Sequence, residues 1–288
     1  MLLNLSQEIE DVLNHLMPAS DELHQEIFAA VRYSLLGGGK RLRPILAITT
    51  AEMFGIPLEQ VLIPACALEM IHTYSLIHDD LPCIDNDDFR RGKPSLHKAF
   101  KEATAVLAGD CLLTEAFNVL TNCKNLSAEK KLELISVLAK ACGGNGLIAG
   151  QILDITNENQ KIDLALLQEI HLKKTAVLIA VSIEFGAIIG DASLEEKKLL
   201  KQFGLDIGLA FQIMDDVLDV VASKEKHGRD TPSDLLNEKT TYVTLKGIED
   251  SKKLAEEITN NAINSLKIIS YDTSSLVALA DSLIHRSF

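Results

Sequence analysis

Almost nothing in this 288-residue sequence alternates between apolar and polar at every second position, so strands are hard to find. Positive charge is also scarce: the formal net charge is -13 and the isoelectric point is about 5.1. That balance argues against nucleic acid or an anionic membrane as a general partner, and an anionic substrate would need locally concentrated Lys and Arg or metal ions. The five cysteines are odd in number and show no C-x-x-C spacing. They argue against a disulfide framework or a zinc site and fit a reducing, cytoplasmic location. The opening MLLNLSQEIEDVL is acidic and amphipathic, so no secretory or transit peptide is expected. The most apolar window, Thr175 to Gly190, is interrupted by Glu184. It falls short of the roughly 20 residues that span a bilayer, so no transmembrane segment is expected. Pro/Ser-rich linkers, fixed-period repeats and low-complexity tracts are missing too.

What is present is helical periodicity. Hydrophobic residues make up 47% of the chain. They recur at three and four spacing in Pro44 to Phe54, Leu62 to Ile77, Ala103 to Leu120, Ala128 to Leu147, Asp163 to Ile189 and Leu194 to Val221. Gly37-Gly38-Gly39, Gly55-Ile56-Pro57, Gly92-Lys93-Pro94 and Gly190-Asp191 read as helix stops and turns. The expectation is one all-α domain over residues 1–288, a bundle of long helices able to hold a cavity between its central members.

Two acidic clusters break the apolar pattern. The stretch SLIHDDLPCIDNDDFRRGKPS, Ser75 to Ser95, carries five aspartates within ten positions and then Arg90, Arg91 and Lys93, directly after the apolar Leu76 and Ile77. On an unbroken helix Asp79 and Asp85 would stand about 240° apart. Pro82 disrupts helical hydrogen bonding after Asp80 and can let Asp85 curl back. The second cluster, FQIMDDVLDVV from Phe211 to Val221, keeps helical spacing. There Asp215 and Asp219 lie about 40° apart, with Gln212 about 60° to the other side of Asp215, so the three share a face. Like charges four apart repel, and a hard cation would neutralise them. One or two carboxylates, with water and substrate phosphates, are the usual way to hold Mg²⁺. A solvated helix end is the alternative for either cluster alone.

Cations stand close by in the sequence. GGGKRLRP, Gly37 to Pro44, places Lys40, Arg41 and Arg43 after three glycines, where backbone amides and cations could meet a phosphate; a helix stop and restart reads equally well. Arg90 and Arg91 offer planar forks suited to bidentate phosphate contact. Lys173, Lys174 and Thr175 read as a polar stretch on a helix face. Two acidic faces, several cations and an apolar interior suit a substrate with a diphosphate head and a hydrocarbon tail.

With GGGKRLRP, EMIHTYSLIHDDLPCIDNDDFRRGKPS, LAGD, GQILDI, IHLKKT, FQIMDDVLD and KTTY in that order from about Tyr33 to Tyr242, the chain resembles the trans-isoprenyl diphosphate synthases, in particular the bacterial farnesyl diphosphate synthases. The resemblance implies an isoprenoid-synthase bundle around a central cavity, a single polyprenyl synthetase domain, and a homodimer. It also implies three Mg²⁺ ions that bridge the allylic diphosphate to two facing Asp motifs. Asp79 and Asp85 would hold metal on one side and Asp215 on the other, with Asp80 and Asp219 contributing directly or through water. Metals and cations stabilise the departing diphosphate, the allylic C–O bond ionises, and the double bond of isopentenyl diphosphate attacks. By the same resemblance Lys40, Arg43, His72 and Arg91 hold isopentenyl diphosphate. Arg90, Lys174, Thr175, Gln212 and Lys239 serve the allylic side. Without the family context, His72 reads as a satisfied core residue.

Product length is implied by bulk just before the first Asp pair. Ser75 lies about 40° from Asp79 on the helix and Tyr74 about 140°. A tyrosine at position 74 resembles the stop of fifteen-carbon enzymes, although it also reads as an ordinary core aromatic, and DDLPCIDNDD resembles geranylgeranyl enzymes as well. The reading favours farnesyl over geranylgeranyl diphosphate. After the second motif, Arg229 stands where relatives usually carry a lysine, and Pro232 and Glu238 where they carry glycines. Three rivals remain: a terpene cyclase, against which DDVLD argues; a non-catalytic partner subunit, expected to have lost a motif; and a membrane prenyltransferase, which would need spanning helices.

Overall fold

Apolar residues at helical spacing become helices throughout. A computed structural model describes residues 2–17, 19, 23–227 and 240–284. The chain divides into two compact units, one of Met1–Ser136 with Ile188–Asp191 and one of Val137–Ala187 with Ala192–Phe288. Lys239, Arg229, Pro232 and Glu238 lie outside the described residues.

The first unit contains α1 (Leu2–Leu16), α2 (Gln25–Leu35), α3 (Leu42–Met53), α4 (Leu58–Asp79), a short α5 (Leu96–Ala99) and α6 (Glu102–Asn122). Helix α4 is its axis, packed against α3 and α6, because it is apolar on nearly every side. Ala65, Leu68, Met70, Ile71 and Ile77 are all buried, with Leu46 and Ile48 of α3 and Ala105, Ala108 and Leu112 of α6. Between α4 and α5 the chain makes a two-stranded antiparallel ribbon, β1 (Phe89–Arg90) with β2 (Lys93–Pro94), Arg90 opposite Lys93. The sequence gives no alternation for strands this short, and Gly92-Lys93-Pro94, read among the helix stops and turns, is the tip and return of a hairpin.

Helix α7 (Ala128–Cys142) is followed in the second unit by α8 (Leu147–Thr156), α9 (Leu164–His171), a π-turn (Leu172–Ala176), α10 (Val177–Ile189) and α11 (Leu194–His227). Then come α12 (Tyr242–Lys246), α13 (Ile248–Leu266) and α14 (Ser274–Ile284). The segment expected as one helix from Ala128 to Leu147 is two, because the chain turns at Gly143 to Gly146, where the Gly146 N–H donates to the Gly143 carbonyl at 3.0 Å. Leu167, Leu209, Ile213, Tyr242, Ala255 and Ile284 form a buried cluster drawn from α9, α11, α12, α13 and α14. The start of α9 is fixed by Asp163, whose carboxylate accepts from the Leu166 N–H at 2.9 Å, and that of α12 by a capping box between Thr241 and Thr244.

By length and composition, three stretches among the described residues are long and apolar enough to cross a bilayer: Leu58–Asp79, Glu102–Asn122 and Ala128–Thr156. The sequence expectation of none rested on a single most apolar window. In Leu58–Asp79 the apolar content has another employment, since 67% of its window is buried inside the protein.

A charge pair with both side chains buried lies inside the first unit. Arg41 is 1% exposed and Glu69 equally buried. Arg41 Nη1 donates to Glu69 Oε1 at 2.8 Å, and its Nη2 donates to the Leu35 carbonyl at 2.8 Å and to Glu10 Oε1 at 3.3 Å. One guanidinium therefore ties α1, the end of α2, the start of α3 and the middle of α4. It is not offered to a phosphate, as the glycine-rich sequence had allowed. Removing one member of a buried pair strands the other charge. Arg41→Ala should lower stability by about 3–5 kcal/mol, and Arg41→Met combined with Glu69→Met should recover most of that loss; urea unfolding of the two variants measures both.

Candidate active site

At the end of α4 the chain does what Pro82 suggests. The helix stops at Asp79, the Leu81 N–H donates to the His78 carbonyl, and the Asp85 N–H reaches back to the Asp79 carbonyl at 2.9 Å. Asp79 and Asp85 are thereby neighbours although six apart in sequence. Asp79 is half-buried and Asp85 exposed.

Asp80, one helical step from Asp79, faces elsewhere. It is 3% exposed and is gripped by Arg90: Arg90 Nε donates to both of its oxygens at 3.0 and 3.3 Å, and Nη2 adds a third bond to Asp80 and one to Asp87 at 3.2 Å. Burial pushes the Asp80 carboxyl above the ordinary carboxylate range against the opposing pull of Arg90. On its partner the hydrogen bond to Asp80 raises the Arg90 guanidinium. Asp80 is thus committed to holding Arg90, a task its place in the motif does not reveal.

The ribbon presents the two arginines. Its two-residue loop, Arg91 and Gly92, has φ of 54° and 74°, the left-handed pair that matches the twist of a two-residue hairpin. Glycine adopts this freely and arginine does not. Arg91 Nη1 donates to the Gly38 carbonyl, which ties the ribbon to the glycine-rich loop. The Tyr33 hydroxyl donates to the Pro94 carbonyl at 2.8 Å and fixes the return strand.

His72, one turn after Glu69, sits in the field of these cations. Burial first, then Arg43, Arg91, Arg41 and Arg90, hold its imidazole well below 6.5. The structure therefore gathers His72, Arg43 and Arg91, and Lys40 stands exposed at the entry to α3. Tyr74 is 4% exposed, with its ring edge-on to His78 at 5.8 Å. Ser75 is half-buried and donates to the His72 carbonyl at 2.9 Å.

In the second unit, α11 comes unusually close to the π-turn and α10. A Cβ on Gly204 would stand 2.5 Å from Ala180 Cα, and one on Gly208 2.5 Å from Ala176 Cα. One turn beyond Gly208, Gln212 Oε1 accepts from the Thr175 hydroxyl at 2.9 Å. The π-turn inserts an extra residue into the helical ladder, a feature frequent at functional sites, and displays Lys174 toward Asp154 of α8 at 2.7 Å. Nothing in the spacing of GQILDI marks Asp154 as the partner of Lys174. Asp215 is half-buried and Asp219 exposed, whereas Asp216 is buried, with its Oδ2 accepting from the Tyr242 N–H at 2.9 Å. Here too the second aspartate of a pair is an anchor.

Among the described residues, no group of three or more His, Cys, Asp and Glu makes a closed metal cage. Mg²⁺ does not ask for one, since it keeps several waters and takes one or two carboxylates plus phosphate oxygens. The carboxylates of Asp79 with Asp85, and of Asp215 with Asp219, fit that ion by the chemistry of their donors.

The depressed His72 sets a pH dependence. Between 6.5 and its lower folded value, the unfolded chain binds a proton that the folded chain does not, so stability falls as pH drops through that window. Acid titration of the unfolding free energy should show this limb, and His72→Gln should flatten it.

The polyprenyl synthetase family profile matches residues 24–274. The chain is 45% identical over 281 residues to the farnesyl diphosphate synthase of Micrococcus luteus, covering 96% of this chain and 94% of that one. It is 46% identical over 265 residues to a chloroplastic geranylgeranyl pyrophosphate synthase of Catharanthus roseus, covering 91% and 74%. Among solved structures, an FPP/GFPP synthase from Zymomonas mobilis superposes with a TM-score of 0.88 at 36% identity, covering 98% of this chain and 97% of that one. Profile, relatives and all-α fold agree: the chain belongs to the polyprenyl synthetase family of prenyltransferases.

Proposed function

We propose that the chain is a farnesyl diphosphate synthase, acting as a single domain over residues 1–288 and joining isopentenyl diphosphate head to tail to dimethylallyl and then geranyl diphosphate. The observation that carries this is the end of α4. There Asp79 and Asp85 are brought together beside a ribbon that presents Arg90 and Arg91, on a helix otherwise spent on the core. Asp79 with Asp85, and Asp215 with Asp219, would each hold Mg²⁺, which would supply charge neutralisation to a diphosphate leaving group.

The chain's own residues do the rest. Arg90, clamped by Asp80, takes the allylic diphosphate with Lys174, Thr175, Gln212 and Lys239. Lys40, Arg43 and Arg91 take isopentenyl diphosphate, and His72, kept neutral by burial first and then by its arginine neighbours, adds a hydrogen bond without adding charge. With both heads fixed, the allylic C–O bond breaks with its electron pair going to the diphosphate. The isopentenyl double bond forms the new C–C bond, and the resulting cation loses a proton, for which the released diphosphate is the acceptor. The work of the protein is positioning and electrostatics.

Tyr74 supports a fifteen-carbon product by its bulk and burial in the helix that ends at Asp79. A twenty-carbon product is the second reading, favoured by the geranylgeranyl relative, which matches about as well as the farnesyl one. We also propose a cytosolic homodimer, and exposed Val106 and Leu107 on α6 offer apolar surface for such contact.

Incubation with Mg²⁺, labelled isopentenyl diphosphate and dimethylallyl diphosphate should yield a fifteen-carbon alcohol after dephosphorylation, and Tyr74→Ala should lengthen it. A twenty-carbon product from the unaltered chain refutes the Tyr74 stop and keeps the chemistry. Removing metal with EDTA should abolish turnover and Mg²⁺ restore it; no elongation with or without EDTA would support a non-catalytic subunit.

A further inference from the structure

Helix α4 carries a second polar face. At about 100° per residue, His72, Ser75 and Asp79 fall within about 60° of one another, and Thr73, Ile77 and Asp80 cluster about 140° away. The Thr73 face lines a cavity of about 40 Å³ against the ribbon, bounded also by Ile77, Asp80, Arg90, Arg91 and Lys93.

Thr73 breaks a habit of this protein. The buried hydroxyls of Thr50, Ser182, Ser251 and Thr259 each donate to the carbonyl four residues earlier, at 2.7 to 2.8 Å, the local refuge open to any helical Ser or Thr. Thr73 is only 3% exposed, and its Oγ1 has no hydrogen-bond partner among the described residues. Leaving a buried hydroxyl unsatisfied is unfavourable, so its orientation needs a reason.

The lining decides what the cavity holds. An apolar occupant would strand the hydroxyl, and an anion, although drawn by Arg91 and Lys93, would meet the Asp80 carboxylate that already holds Arg90. Water can donate to Asp80 and accept from Thr73 or Arg91, and a water requires about 10–15 Å³ of such volume. We propose that Thr73 is a positioning residue for the arginine ribbon, acting through ordered water in this cavity that supports the Asp80–Arg90 pair from behind. This rests on the prenyl-transfer reading insofar as Arg90 and Arg91 grip the two diphosphates.

The test compares the unaltered enzyme with Thr73→Val, which keeps the shape and removes the hydroxyl, and Thr73→Ser, which keeps the hydroxyl. Three quantities are measured: melting temperature, hydrogen exchange of the ribbon amides between Phe89 and Ser95, and steady-state constants for each diphosphate. Thr73→Val should speed ribbon exchange and raise KM for the diphosphates roughly fivefold, the weight of one net hydrogen bond, with kcat little changed. Its melting temperature should not rise, and Thr73→Ser should restore all three. A higher melting temperature in Thr73→Val, with ribbon exchange and KM unchanged, would mean that the hydroxyl is merely stranded and would overturn the proposal. Exchange and melting need no turnover, so a chain without prenyl-transfer activity would sink the functional reading while the role of Thr73 is still decided.

Discussion

A guanidinium sealed from water must find its partners in the protein, and Arg41 finds them on several helices at once. Its bonds to Glu69, Glu10 and the Leu35 carbonyl fix where α3 begins relative to α4. That junction carries the cations and the imidazole of the first unit: Arg43 is two residues beyond Arg41, and His72 is three beyond Glu69. The pair is costly to bury and more costly to break. What it provides is a fixed origin from which the glycine-rich loop, and through Gly38 the tip of the ribbon, are measured.

The second organising constraint is the 100° step of the helix. In each Asp-Asp pair it sends adjacent carboxylates to different environments. Asp79 and Asp215 are half-buried, while Asp80 and Asp216 are turned inward, one to clamp Arg90 and the other to accept the Tyr242 amide. Two identical residues side by side thus meet different surroundings, the second of each pair holding a neighbouring element in place. In the second unit the same periodicity works through absence: Gly204 and Gly208 lack the side chains that would hold α11 off, and Gln212 continues their ladder into a hydrogen bond with Thr175.

Much of this was legible in the sequence, for identifiable reasons. Helices such as α4 and α6 announce themselves because burial on most faces demands long runs at three and four spacing. The curl that returns Asp85 to Asp79 follows from a proline in a known place, and the shared face of Gln212, Asp215 and Asp219 from arithmetic. Less could be read where pairing is long-range. Nothing local to Arg41 says that it is buried against Glu69 rather than offered to a phosphate, and nothing near Lys174 names Asp154. The ribbon was missed because two-residue strands are too short to alternate. The break at Gly143 to Gly146 was overrun because apolar spacing resumes on both sides of it.

The hairpin tip has a consequence of another kind. A two-residue loop of this geometry is most comfortable with Asn or Gly at its first position, and here that position is Arg91 at φ 54°. The backbone therefore carries a standing cost at an arginine that we propose binds isopentenyl diphosphate. Replacing this arginine by a preferred turn residue would relieve the backbone and at the same time cut the tie to the Gly38 carbonyl, so strain and anchorage are traded at a single position.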